Sequence, residues 1–126
     1  MSRAKMLLVE DDAALAELLV YHFKREDFDV VQTPDGEEAL LLAQETPPDI
    51  VLLDIGLPGM PGKDGFDILG YIRRKEAWSK VPVVMVTAEV SDDQVMRGLR
   101  AGADGYMFKP FKWEALYSCI KEVVGI

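Results

Sequence analysis

Residues 49–54 read Asp49-Ile50-Val51-Leu52-Leu53-Asp54. Four consecutive apolar side chains without alternation describe a strand covered on both faces, because a half-exposed strand alternates apolar and polar positions. Such a strand belongs in a parallel sheet, and parallel neighbours need a helical crossover between them. The acid that ends the run, Asp54, is then delivered to the rim of a buried sheet.

Outward from this segment the chain supplies the rest of the sheet. Met6-Leu7-Leu8-Val9 is a candidate strand, and Phe28 to Thr33 a second, richer in polar residues and so assigned to an edge. Between them Leu15, Leu18, Leu19 and Phe23 fall on one helical face, with Asp12 placed to cap its start. Asp35-Gly36-Glu37-Glu38 has the form of a capping box opening a helix that runs through Gln44. On the other side, a glycine- and proline-rich loop from Gly56 to Gly65 leads into a helix carrying Phe66, Leu69 and Ile72. Val81 to Val86 is another continuous apolar strand, and Ser91-Asp92-Asp93-Gln94 caps a helix that stops near Gly102. Gly105 to Phe108 gives a short fifth strand, and Trp113 to Val124 a last helix with Leu116, Ile120 and Val123 inward.

Five strands, each followed by a helix, imply a doubly wound α/β three-layer sandwich with right-handed crossovers. Of the common strand orders, the flavodoxin-like 2-1-3-4-5 suits a five-stranded parallel sheet. Residues 1–126 are expected to form a single domain, since 126 residues can bury one substantial core and not two.

Composition narrows the function. A mixture of 49% apolar and 29% charged residues is globular, and no apolar run approaches the ~20 residues that span a bilayer. Only a few apolar residues precede the acidic cluster at Glu10, so no signal peptide is expected. The single Cys119 has no internal partner and fits the inward stripe of the last helix. The expectation is a cytoplasmic chain with no membrane contact. Fourteen basic against 22 acidic side chains, a net charge of −8, argue against direct contact with nucleic acid. His22, far along a helix from the acids, reads as a surface or partly packed residue.

In a doubly wound sheet, ligands bind beyond the carboxyl ends of the strands. Those ends carry Glu10, Asp11 and Asp12 after the first strand, Asp54 after the third, Thr87 and Ala88 after the fourth, and Lys109 and Pro110 after the fifth. Strands one and three are neighbours in the expected order, so Glu10, Asp11 and Asp54 converge, with Lys109 and Thr87 flanking them. Carboxylates gathered this closely hold a proton or recruit a cation. An oxygen-only set suits a hard divalent ion, and magnesium binds with few protein oxygens beside a phosphate. An ammonium and a hydroxyl opposite would receive phosphoryl oxygens. The residues thus describe a magnesium-assisted phosphoryl site with a carboxylate nucleophile.

Four pieces in order extend the reading: Leu8-Val9-Glu10-Asp11-Asp12; Asp49 to Asp54 with Leu57-Pro58 after it; Val86-Thr87-Ala88; and Gly102-Ala103-Asp104-Gly105-Tyr106 running into Lys109-Pro110-Phe111. Together they resemble the receiver domain of two-component response regulators, over essentially the whole chain. The resemblance implies a phosphorylation-controlled signalling switch whose acceptor is Asp54, fed by a partner histidine kinase or phosphotransfer protein. It implies Mg2+ held by Asp11 and Asp54, by Glu10 through a water and by the Gly56 carbonyl. Lys109, Thr87 and the Ala88 N–H would bind the phosphoryl group, Tyr106 would be the switch aromatic, and the Lys109–Pro110 bond would be cis. The downstream partner would be an effector protein or a fused output domain. Such a domain is not an enzyme, although it assists its own phosphoryl transfer and dephosphorylation.

The chain departs from the family in places. The link from Gly59 to Asp64 is about three residues longer than the usual one. Gly56 offers no side chain toward an attacking water, while Glu89, two past Thr87, carries an acid. Val95, Gly105, Ala115 and Cys119 stand where winged-helix regulators place charges for a symmetric dimer. Three other functions compete. An aspartyl-nucleophile phosphohydrolase would place an acid where Gly56 stands. A flavin module would have a phosphate loop after the first strand. The third is a receiver-like interaction module that is never phosphorylated.

Overall fold

The computed structural model describes residues 3–42, 44–56, 64–88 and 91–125. Its elements, in chain order, are β1 (Ala4–Val9), α1 (Ala13–Arg25), β2 (Phe28–Thr33), α2 (Gly36–Leu42), β3 (Ile50–Asp54), α3 (Gly65–Arg74), a 3-10 turn (Glu76–Trp78), β4 (Val83–Thr87), α4 (Asp92–Arg100), β5 (Gly105–Phe108) and α5 (Trp113–Val124). The strands form one parallel sheet in the order β2-β1-β3-β4-β5, as expected.

Apolar patterning explains which strands lie where. All five residues of β3 and of β4 are buried, whereas β2 at the edge alternates and leaves Val31 exposed. Successive side chains point to opposite faces, which gives two cores. Met6, Leu8, Ile50, Leu52, Val84 and Val86 meet Leu19 and Phe23 of α1 and Leu116 and Ile120 of α5. Leu7, Val9, Val51, Leu53, Val83 and Met85 meet Ala39 of α2 and Ile68, Leu69 and Ile72 of α3. Each fully buried Leu, Ile or Val of this kind contributes about 1.5–3 kcal/mol.

The caps follow the sequence signals. Asp12 accepts from the Leu15 N–H at 3.1 Å, Asp35 from Glu38 N–H at 2.8 Å and Ser91 from Gln94 N–H at 3.2 Å. Asp64 and Asp67 form a reciprocal capping box at the start of α3. The Lys109–Pro110 peptide is cis.

Four details differ from the sequence reading. Leu18 is exposed, because Ala16, Leu19 and Phe23 take the inward positions of α1. One residue of helix turns the side chain by about 100°, so Leu18 lies well round from Leu19. The described helix α2 ends at Leu42 rather than Gln44, and β4 begins at Val83, after Pro82, which has no N–H to donate to a ladder. Cys119 is half-buried rather than fully in the core, and burial still pushes its thiol pKa up.

Candidate functional site

The carboxyl ends of β1 and β3 lie side by side, with Val9 paired to Leu53. The next residues, Glu10 and Asp54, are both buried, and Asp11 is exposed at the rim. Each of the three offers a carboxylate oxygen within 4.8 Å of the others. The sheet delivers β5 two strands away, and its loop carries Lys109 back over the cluster. Its Nζ lies 3.0 Å from Glu10 Oε1 and 3.2 Å from Asp54 Oδ2.

Backbone contacts fix these groups. Glu10 N–H donates to the Thr33 carbonyl and the Glu10 carbonyl accepts from Gln32 Nε2 at 3.0 Å, so β2 holds the first acid in place. Asp12 N–H donates to Glu10 Oε2 and Gly56 N–H to Asp54 Oδ1, both at 3.1 Å. The Thr87 carbonyl accepts from Lys109 N–H at 2.8 Å, which couples the end of β4 to the lysine. Gly65 lets α3 start against the acid strand. A Cβ there would lie 2.6 Å from the Asp54 carbonyl oxygen, so any other residue would push α3 off the site.

Charge is over-supplied on one side. Burial, then the neighbouring Asp54, pushes the Glu10 carboxyl up to about 7, and burial raises Asp11 as well. Burial also pushes Asp54 upward, but hydrogen bonds from Glu10, Asp11 and Gly56 together with the Lys109 charge outweigh it and hold Asp54 below the ordinary range. Burial alone would depress Lys109, yet Glu10 and Asp54 overcome it and raise its pKa. Three acids facing one ammonium favour the protonated form of Glu10 and the ionised form of Asp54. That pocket fits a small hard cation, which would displace the proton and neutralise the excess.

The comparisons with known proteins agree with the geometry. Residues 6–121 match the response regulator receiver domain family. The chain belongs to that family. It is 43% identical over 119 residues to the DNA-binding response regulator MtrA of Mycobacterium tuberculosis, covering 94% of this chain and 50% of that one. A CheY-like receiver domain protein from Methanospirillum hungatei superposes with a TM-score of 0.90 at 27% identity, over 98% of this receiver and 95% of that chain. The receiver domain of the sensor histidine kinase PA1611 from Pseudomonas aeruginosa, solved with magnesium coordinated in its active-site cleft, superposes at 0.87 and 27% identity over the full length of both. The receiver spans about half the length of the curated relatives it matches.

Of the residues singled out in the sequence, Glu10, Asp11, Asp54 and Lys109 come together. Thr87 is buried at the end of β4, while Ala88 and Gly56 are exposed at the rim. Tyr106 is half-buried between β5 and α4, its Oη donating to the Gln94 carbonyl at 3.1 Å. The loop reading from Gly59, with Leu57, Pro58 and Lys63, lies outside the described residues, as does Glu89. Two features were missed. Lys109 binds Glu10 as well as Asp54, and Gln32 supports Glu10 from the edge strand. The polar residues of β2 were a signal for the second, since an amide on an edge strand beside an acid-bearing strand has a carbonyl within reach.

Proposed function

We propose that this receiver domain is a phosphorylation-controlled switch that accepts a phosphoryl group on Asp54 from a phosphohistidine of a partner histidine kinase or phosphotransfer protein. The observation that carries the reading is the buried Asp54 carboxyl beside Glu10 and Asp11 with Lys109 Nζ 3.2 Å away. An Asp54 oxygen bonds to phosphorus as the P–N bond of the donor breaks, and the leaving imidazole takes up a proton. Glu10, Asp11 and Asp54, with the Gly56 carbonyl, would hold Mg2+. When bound, Mg2+ supplies positive charge to the phosphoryl oxygens. Lys109, Thr87 and the Ala88 N–H receive those oxygens once the group has transferred. Thr87 then moves toward the phosphoryl group, and Tyr106 turns toward the space it leaves.

The register supports a link between these last two. Met85 pairs with Tyr106 and Thr87 with Phe108, so Tyr106 and Thr87 are diagonal neighbours on one face of the sheet. A partner that prefers one arrangement then reads the state of Asp54. That partner is an effector protein or an output domain fused to this one. A net charge of −8 argues against direct DNA contact by this receiver. The chain works as one receiver unit in the cytoplasm, and no helix among its described residues is long and apolar enough to cross a membrane. It is a regulatory phosphoacceptor that assists its own modification and not a turnover enzyme. Gly56 stands where an aspartyl phosphohydrolase would need its acid.

The test is labelling by acetyl phosphate in the presence and absence of Mg2+, followed by intact mass. The wild type should gain one phosphoryl group only with Mg2+, and Asp54→Asn should gain none. Undiminished labelling of Asp54→Asn would falsify the assignment, and an unlabelled wild type would favour the interaction-module reading.

A further inference from the structure

Helix α4 buries one residue, and it is a glycine. Gly98 is buried while Met96 and Leu99 on the same helix are exposed. The reason is Tyr106. A Cβ on Gly98 would lie 2.3 Å from Tyr106 Oη and 2.5 Å and 2.8 Å from Cε2 and Cζ of the ring, so the tyrosine occupies the volume that any larger residue would need. One turn earlier, the Gln94 carbonyl accepts the Tyr106 hydroxyl at 3.1 Å. Ring and hydroxyl are therefore seated in a notch cut into α4. Arg97 of the same helix stacks 4.2 Å above the Phe66 ring of α3.

An interior glycine disfavours the helix that contains it relative to alanine. It lies in the last turn of α4, and it is not needed there for a left-handed backbone, because its φ is not positive.

We propose that Gly98 is a positioning residue that sets the balance of the switch, by keeping open on α4 a resting seat for Tyr106. This rests on the switch role of Tyr106 given above and adds what it moves out of. With the notch open, Tyr106 stays against α4 and the unmodified state is favoured. Phosphorylation draws Tyr106 out of the notch, and α4 loses the side chain that pins it to the sheet. Filling the notch removes the resting seat and populates the other arrangement before any phosphoryl group arrives. By reciprocity, a protein already displaced toward the modified arrangement binds a phosphoryl mimic more tightly.

The test is the affinity of the full chain for beryllium trifluoride with Mg2+, read by calorimetry, together with the initial rate of acetyl phosphate labelling. Gly98→Ala should raise both by at least about fivefold. A helix stabilisation or a packing defect alone would move the melting temperature and leave the affinity unchanged. The same substitution in a Tyr106→Ala background should change neither affinity nor rate, and should raise the melting temperature, because alanine is the better helix former once the ring is gone. Should Gly98→Ala alone not fold, recovery of a folded protein in the double variant still shows that the clash with Tyr106 was responsible. An unchanged or weakened affinity in a folded Gly98→Ala, a gain that persists without Tyr106, or a double variant that does not fold overturns the proposal. A wild type that neither labels nor binds the mimic overturns instead the switch reading beneath it.

Discussion

The two ends of the sheet treat charge in opposite ways. At the carboxyl ends of the strands, Glu10, Asp11 and Asp54 crowd around one ammonium, and one carboxyl is pushed up to about 7. At the amino ends, a single cation is met by a full set of acceptors. Arg73, in the last turn of α3, donates to the carbonyls of Gly102 at 2.7 Å, Val81 at 2.7 Å and Ser79 at 3.2 Å, and to Asp104 Oδ2 at 2.8 Å. Asp104 in turn accepts from the Val83 N–H at 2.8 Å, and its own N–H donates to the Val83 carbonyl. Two connecting segments, the one before β4 and the one between α4 and β5, and the start of β4 are thus tied to one guanidinium, whose planar fork suits several acceptors at once. The satisfied end anchors the fold. The unsatisfied end stores a deficit of positive charge that a cation and a phosphoryl group can use.

The largest effect expected from breaking this contrast is at the satisfied end. Arg73→Leu takes the guanidinium donor away from three carbonyls and from Asp104 and should lower stability by about 3 kcal/mol, the scale of losing hydrogen bonds made by a charged group. For a domain of this size that corresponds to a fall of roughly 12 °C in melting temperature. Labelling of Asp54, measured well below the transition, should persist. Asp54→Asn should show the reverse, with labelling lost and melting little changed. If Arg73→Leu melts like the wild type, the anchoring role is wrong.

The same contrast separates what the sequence discloses from what it does not. Glu10, Asp11, Asp54 and Lys109 were legible because each follows directly on an apolar strand, and strand order alone then brings them together. The strand β5 and the helix α5 were legible to the residue for the same local reason, a run of one period bounded by breakers. Arg73 was not legible. It reads as an ordinary basic residue at a helix C-terminus, and its acceptors come from segments that only tertiary packing assembles. Leu18 was misplaced because a helical stripe drawn over leucines alone overlooked Ala16, whose small side chain takes the inward position. Gly98 carried no signal beyond being an unfavourable residue in a helix, since the ring that fills its place comes from β5.

A smaller effect sharpens the unsatisfied end. Mg2+ prefers the ionised Glu10, whose carboxyl without metal is pushed from 4.5 up to about 7. Between those values the folded chain holds a proton that the unfolded chain releases, so Glu10's contribution to metal-free stability is fully present below about 4.5 and is lost as pH rises through about 7. Mg2+ should abolish that fall. One coupled proton makes the apparent Mg2+ affinity rise about tenfold from pH 6 to pH 8, flattening above. Calorimetry in buffers of different ionisation enthalpy should show up to one proton released per ion bound near pH 6. An affinity flat across that range would place the proton elsewhere than Glu10.

The smallest expected effect distinguishes the two kinds of bond that Arg73 makes. Its partner Asp104 keeps 45% of its side chain exposed, against 19% for Arg73 itself, so solvent screens the pair. Asp104→Asn retains an oxygen for the Val83 N–H and for the guanidinium and removes only the charge. Exposed ion pairs contribute about 0–1 kcal/mol, so the melting temperature should fall by no more than roughly 4 °C. That outcome would assign the anchor to the carbonyls of Gly102, Val81 and Ser79, which are reached by a donor that cannot lose its proton. A loss equal to that of Arg73→Leu would instead make the ion pair the anchor. The amino end of the sheet would then depend on charge as strongly as the end that holds Asp54.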